Sequence, residues 1–228
     1  MSSPQSEFLA GVRAELPILL GVIPFGVIYG VLALQAGLPV SAAQAMSSII
    51  FAGSSQFIAA QLFRDNTPGL IIAFTVFIVN LRHMLYSASV EPYIKHLPQR
   101  WKWLLAYLLT DEAYAVAITE YNNAQDLTHK HWYFLSAGLA LWSTWQASTA
   151  VGIFLGAQVD QSLGLDFAIA VTFIALVVPA LTDRALTAAA LSAGVIAIIT
   201  AGLPYNLGLM LAALVGIVIG LALERGRK

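Results

Sequence analysis

Cysteine is absent from the 228 residues, which excludes disulfides, thiolate metal sites and cysteine nucleophiles. Charge is scarce as well. Charged residues make up 10% of the chain, against about 25% in an ordinary soluble domain. The net charge is −1 and no basic stripe with interleaved aromatics occurs, so nothing calls for nucleic acid. There is no Walker lysine, no GxSxG and no HExxH, which removes ATP drive and the common hydrolytic chemistries. No second His, Asp or Glu stands at a metal-ligand spacing beside His83, so neither a metal nor another cofactor is implied. The start, MSSPQSEFLAGVRAEL, lacks a basic region followed by a short apolar core. A cleaved signal peptide is therefore not expected, and the first spans themselves would drive insertion.

What remains is apolar. Hydrophobic residues are 59% of the chain, in runs near the roughly 20 residues that cross hydrocarbon. The runs are Leu16–Ala36, Ala42–Phe63, Gly69–Val90, Trp103–Ile118, Trp132–Gly156, Phe167–Leu181, Leu186–Leu203 and Leu207–Leu223. Most prolines fall at run ends, whereas Pro24 predicts a kink in the first helix. The expected fold is all-α: a polytopic helical membrane protein, one membrane-embedded domain over residues 1–228, with seven or eight hydrophobic segments.

Loop charge complicates eight full crossings. Lys95, Arg100 and Lys102 form one basic cluster and Arg225, Arg227 and Lys228 another. The positive-inside tendency places both in the cytoplasm, but five spans between them would separate them. A broken or re-entrant helix resolves this, and Phe167–Leu181, about 22 Å long as a helix, is short for a crossing. Stripes of small residues recur at four-residue spacing: Gly208, Ala212, Gly216, Gly220; Thr144, Ser148, Gly152, Gly156; and Ala185 through Ala201. Such faces let helices approach closely in lipid, either within this chain or against a separate subunit. SSQF (54–57) is echoed by STWQ (143–146), and LTDEAYAVA (109–117) by LTDRALTAA (181–189). Both echoes are offset by three segments, which reads either as an inverted repeat or as chance likeness between apolar helices.

The informative residues are polar ones inside apolar runs. Arg82 lies about 12 Å of helix from the end of its run, and such a charge normally faces a cavity or a partner. On a regular helix Asn80, His83 and Ser87 share one face, while Arg82, Tyr86 and Ser89 share nearly the opposite one. This segment must therefore be enclosed on both sides, or its winding breaks near Asn80–His83. Arg82 reads either as an ion pair with Asp111 or Glu112 or as a substrate contact. His83 reads as a packing histidine or as a titrating group. Asp111 and Glu112 are adjacent carboxyls that cannot both ionise freely, so one is a candidate proton carrier; Tyr107, Asp111 and Tyr114 would line one helix face. In FAGSSQF (51–57), Gly53 is a poor helix former, and Ser54, Ser55 and Gln56 compete with the backbone ladder. Unwound backbone at that depth lines a cavity or is buried in protein.

FAGSSQF at 51–57, NLRHMLYSAS at 80–89 and TDEAYAV at 110–116 resemble the AzlC family of branched-chain amino acid permeases, and FIALVVPAL at 173–181 shares its general character. Ser55 stands where that family often has Ala. The resemblance implies an exporter of hydrophobic amino acids in the cytoplasmic (inner) membrane, multi-pass, working with a small AzlD-type membrane subunit. The matching positions mark a region: Gly53, Ser54, Ser55, Gln56, Asn80, Arg82, His83 and Tyr86 as candidate substrate contacts, and His83, Asp111 and Glu112 as candidate ion-coupling groups. A zwitterion needs a counter-charge or helix terminus at each end and an apolar pocket between. Two other readings stand beside this one: an intramembrane enzyme using His83 with an acidic partner, and a channel or assembly subunit without transport of its own.

Overall fold

The first helix, α1 (Pro4–Gln35), is set at both ends by local chemistry. Ser3 and Ser6 form a reciprocal capping box ahead of it, satisfying N–H groups that a helix start leaves open. Gly37, at φ 84°, closes it with a Schellman pair of bonds, Gly37 N to Leu34 O and Leu38 N to Ala33 O. The helix continues without interruption through Pro17 and Pro24. In the computed structural model, residues 3–124, 128–158, 181, 183–203 and 207–225 are described. The expected segment Phe167–Leu181 and the stretch 173–181 fall almost wholly outside them.

The remaining helices are α2 (Val40–Ile49), α3 (Gly53–Arg64), α4 (Gly69–Asn80), α5 (Arg82–Ile94), α6 (Gln99–Tyr107), α7 (Asp111–Asn123), α8 (Lys130–Gly156), α9 (Arg184–Ile199) and α10 (Leu207–Arg225). The described residues hold these helices and no strand, so the protein is all-helical. By length and apolar character alone, Pro4–Gln35, Gly69–Ile94 and Leu207–Glu224 are long enough to cross a bilayer. Contacts group the chain into two units, one of Met1–Gln61 with Val76–Asp160 and one of Leu62–Thr75 with Gln161–Lys228.

Three runs that read as single apolar segments are each two helices. Ala42–Phe63 divides at Phe51, whose φ of 42° is unusual for a residue with a bulky side chain. Gly69–Val90 divides at Leu81, where the ladder tightens: Leu81 N bonds Ile78 O and Met84 N bonds Leu81 O, both spanning three residues instead of four. Trp103–Ile118 divides at 108–110, where Thr110 turns extended and caps α7 by accepting from Ala113 N. Tyr107, Asp111 and Tyr114 therefore do not share one continuous helix face, because the chain turns between the first and the second.

Within the first unit, α1 lies against α8, and the contacts fix their direction. A methyl group on Gly11 would strike Tyr133 and Ser136, one on Gly26 would sit 2.6 Å from Ser148 Cβ, and one on Gly30 would sit 2.5 Å from Thr149 O. Gly152 meets the Val27 backbone and Gly156 meets Val31 in the same manner. Residue numbers rise together along the seam, so the two helices are parallel. The stripe Ser148, Gly152 and Gly156 thus packs within the chain. In the second unit, a methyl on Gly216 would be 3.1 Å from Ala193 Cβ and one on Gly220 3.2 Å from Ala189 Cβ. The small faces of α9 and α10 pack on each other.

The echoing stretches begin different things. SSQF opens α3, whereas STWQ lies inside the unbroken α8. LTDEAYAVA and LTDRALTAA both open helices, with Thr110 capping α7 and Asp183 capping α9.

Candidate functional site

The three interruptions bring three helix starts to one place. Ser54 is the second residue of α3, Arg82 the first of α5 and Asp111 the first of α7. Arg82 Nη1 is 2.7 Å from Asp111 Oδ2, and Arg82 Nη2 donates to Ser54 Oγ at 2.8 Å. Helix starts carry the positive end of the backbone dipole and free N–H groups, which favours the Asp111 carboxylate there. Of the two ion-pair partners open to Arg82 in the sequence, the structure selects Asp111.

His83 turns to the same carboxylate. Its Nε2 lies 3.7 Å from Asp111 Oδ1, beyond hydrogen-bond length. Arg82 Nε, His83 Nε2 and Asp111 Oδ1 are shielded from solvent and have no hydrogen-bond partner. The helical projection set Arg82 and His83 on opposite walls; the slip at Leu81 lets both reach one carboxyl. Buried polar atoms are normally paired, and these three are exceptions at one spot. The Arg82 and Asp111 side chains retain 32% and 39% exposure, so the spot is reachable.

The other sequence candidates divide around this centre. Ser55 Oγ donates to Asn80 Oδ1 at 2.6 Å, joining the start of α3 to the end of α4. Tyr86 stacks on Tyr114 with ring centroids 4.6 Å apart, and its ring is 5.9 Å from His83. Gln56 is fully buried and faces away from the charges: its Nε2 donates to Ser47 Oγ at 2.9 Å and its Oε1 accepts from Trp145 Nε1 at 3.0 Å. Gly53 lies under the same indole, where a methyl would be 3.1 Å from the Trp145 ring. Gly53 and Gln56 thus anchor the break against α8. Glu112 does not pair with Arg82.

That anchor is a lattice the sequence did not disclose. Ser47 Oγ shares a hydrogen bond with Thr149 Oγ1 at 2.9 Å, Gln146 Nε2 donates to Ser47 O at 2.9 Å, and Gln44 Nε2 donates to Gln146 Oε1 at 2.8 Å. Tyr107 donates to Ser48 O at 2.6 Å and accepts from Trp142 Nε1 at 2.7 Å. Carbonyls freed where α2 ends are thereby satisfied by side chains of α6 and α8, which is what unwound backbone in an apolar setting requires. Also missed were Glu15, wholly buried in α1, and Lys130, which bridges Glu7 and Glu120. The spacing of Glu7, Gly11 and Glu15 along one helix face was the available signal.

Apolar helices, an ion pair between two helix starts and small-residue seams define a helical membrane protein with a polar centre. Comparison with known proteins gives the family. The family model described as AzlC protein matches residues 17–159, and the chain belongs to that family. It is 31% identical over 219 residues to an uncharacterized membrane protein of Archaeoglobus fulgidus, covering 94% of both chains. It is 30% identical to inner membrane protein YgaZ of Escherichia coli, over 68% of this chain and 64% of that one. It is 27% identical to the branched-chain amino acid transport protein AzlC of Bacillus subtilis, over 75% of this chain and 66% of that one. No solved structure matches the chain.

Proposed function

We propose that this protein is a secondary transporter that exports branched-chain and other hydrophobic amino acids across the cytoplasmic membrane. The observation that carries the reading is the convergence of Ser54, Arg82 and Asp111 at three helix starts, with unpartnered Arg82 Nε, His83 Nε2 and Asp111 Oδ1 beside them. A zwitterionic amino acid supplies the matching groups. Its carboxylate suits Arg82 and the helix N-termini, as in transporters with discontinuous helices, and its ammonium suits Asp111. Substrate entry would loosen the Arg82–Asp111 pair, since each charge then gains a ligand partner. The name of the Bacillus subtilis relative supports the substrate class. An ion gradient drives the cycle in this reading, and a small AzlD-type membrane subunit completes the transporter. The test is labelled-leucine efflux from vesicles containing this chain alone, the chain with such a subunit, or neither. Efflux above the empty control with both chains is expected. Equal efflux in all three would overturn the transport reading, and full activity of the chain alone would remove the subunit.

A further inference from the structure

Two helices of the first unit carry glutamates at matched spacing: Glu7 and Glu15 on α1, Glu112 and Glu120 on α7. Each pair of positions is separated by about 12 Å of helix axis. Lys130 fixes one end of the match, with Nζ 2.9 Å from Glu7 Oε2 and 2.6 Å from Glu120 Oε1. Tyr121 donates to Lys130 O, Val116 clusters with Tyr133 and Ala137, and Gly138 lies against Leu108, so α7 runs antiparallel to α8 and hence to α1, which sets Glu15 and Glu112 as a second, inner carboxyl pair. The outer pair has an ammonium between its members. The inner pair has none.

Glu15 is wholly buried, and neither of its carboxyl oxygens has a hydrogen-bond partner. Next to it on the same helix, Ala10, Ala14 and Ile18 pack against the buried Val116, Tyr133 and Ala137. The titratable groups facing it are Glu112 from α7 and Tyr133 from α8. Lys130 of α8 is held by Glu7 and Glu120, and α2, also packed on α1, carries no titratable residue. Arg13 lies about 200° around the helix from Glu15 and is exposed. Arg82 acts on Glu112 but is committed to Asp111. An ionised carboxylate without a partner in such surroundings is very costly, and two facing carboxylates without a cation cannot both ionise.

We infer that Glu15 and Glu112 form a proton-carrying station, with Glu15 holding the proton in the arrangement seen here. In the transfer step the Glu15 O–H bond breaks and an O–H bond forms on the Glu112 carboxylate, so the negative charge passes to Glu15 and nothing else is consumed. Glu112 adjoins Asp111 in the chain. Neutralising it leaves Asp111 as the one carboxylate competing for Arg82, which ties the proton to the strength of the pair that substrate must loosen. The coupling, though not the shared proton, rests on the transport reading.

The experiment is infrared difference spectroscopy of the full chain in lipid nanodiscs stepped across pH, beside pH-driven efflux and leucine exchange in vesicles. A protonated-carboxyl carbonyl band is expected in the parent, absent from Glu15→Gln and displaced in Glu112→Gln. Size-exclusion profiles and unfolding temperatures establish that each variant is folded. A band that survives Glu15→Gln unchanged overturns the proposal. If Glu15→Gln does not fold, Glu112→Gln decides: an undisplaced band overturns the station. In vesicles the ratio of pH-driven efflux to exchange should fall about tenfold or more in Glu15→Gln, and an unchanged ratio overturns the coupling. A parent without any efflux defeats the transport reading alone, because the infrared band is read without transport.

Discussion

α1 and α8 run unbroken for 32 and 27 residues, while each of the three segments between them is interrupted. The difference lies in what each presents to its neighbours. The long pair meets through Gly11, Gly26, Gly30, Gly152 and Gly156, so backbone lies against backbone while both helices stay continuous. The broken segments give up ladder bonds at Phe51, Leu81 and 108–110; Gln146 and Tyr107 satisfy the Ser47 and Ser48 carbonyls at the first break, and Thr110 accepts from Ala113 N at the third. Close-packed small residues make a rigid frame, and broken helices supported by that frame can hold helix starts and charges in the apolar interior. The frame is built for stability, and the interruptions hold the candidate site.

The largest expected effect breaks the frame. Gly152→Leu drives a side chain into the Val27 backbone and should cost about 3 kcal/mol or more, read as lost thermal stability in detergent. Gly21→Leu on the same frame meets nothing within 4 Å and should stay within about 0.5 kcal/mol of the parent. Equal effects of the two would dismiss the seam. Next comes the centre. Arg82→Ala strands Asp111 and should lower leucine efflux by roughly 30- to 100-fold, about 2–3 kcal/mol once partial exposure is allowed for, with protein yield maintained. Parent-like efflux would make the arginine dispensable packing.

Smaller effects separate support from chemistry. Trp145→Phe leaves Gln56 Oε1 without its donor and should cost about 1–3 kcal/mol, seen first as faster hydrogen exchange around residues 51–56. Thr110→Ala removes the cap of α7 and should cost about 1 kcal/mol, measured in the same unfolding assay. Arg225→Ala, at the end of α10 and away from both frame and centre in sequence, should leave efflux within about twofold of the parent, the scale of a surface change.

Much of this was legible beforehand because membrane burial makes polar residues conspicuous. Ser54, Asn80, Arg82, His83 and Asp111 stood out against their runs, and Gly53 with three amide- and hydroxyl-bearing neighbours announced a break. The break itself falls two residues earlier, at Phe51, because the positive φ is stabilised by the amide lattice from α6 and α8 and not by the local residue type. Helical projection put Arg82 and His83 on opposite faces; a slip of one hydrogen bond at Leu81, which projection assumes away, brought them together. Glu15 was overlooked because it sits at the margin of its apolar run, where an acidic residue reads as an ordinary helix end.

The sequence by itself determined the membrane class, the helical content, the small-residue seams and the residue types of the polar centre. Each follows from the same rule: apolar length and small-residue spacing are properties of neighbouring positions in one chain. The tertiary structure decided which carboxylate Arg82 takes, that Gln56 supports α8 instead of facing the charges, and that α1 opposes α7 so that one glutamate pair holds an ammonium and the other does not. Those outcomes depend on distances between residues up to 123 positions apart, and no local pattern encodes which of several carboxylates will meet a given cation.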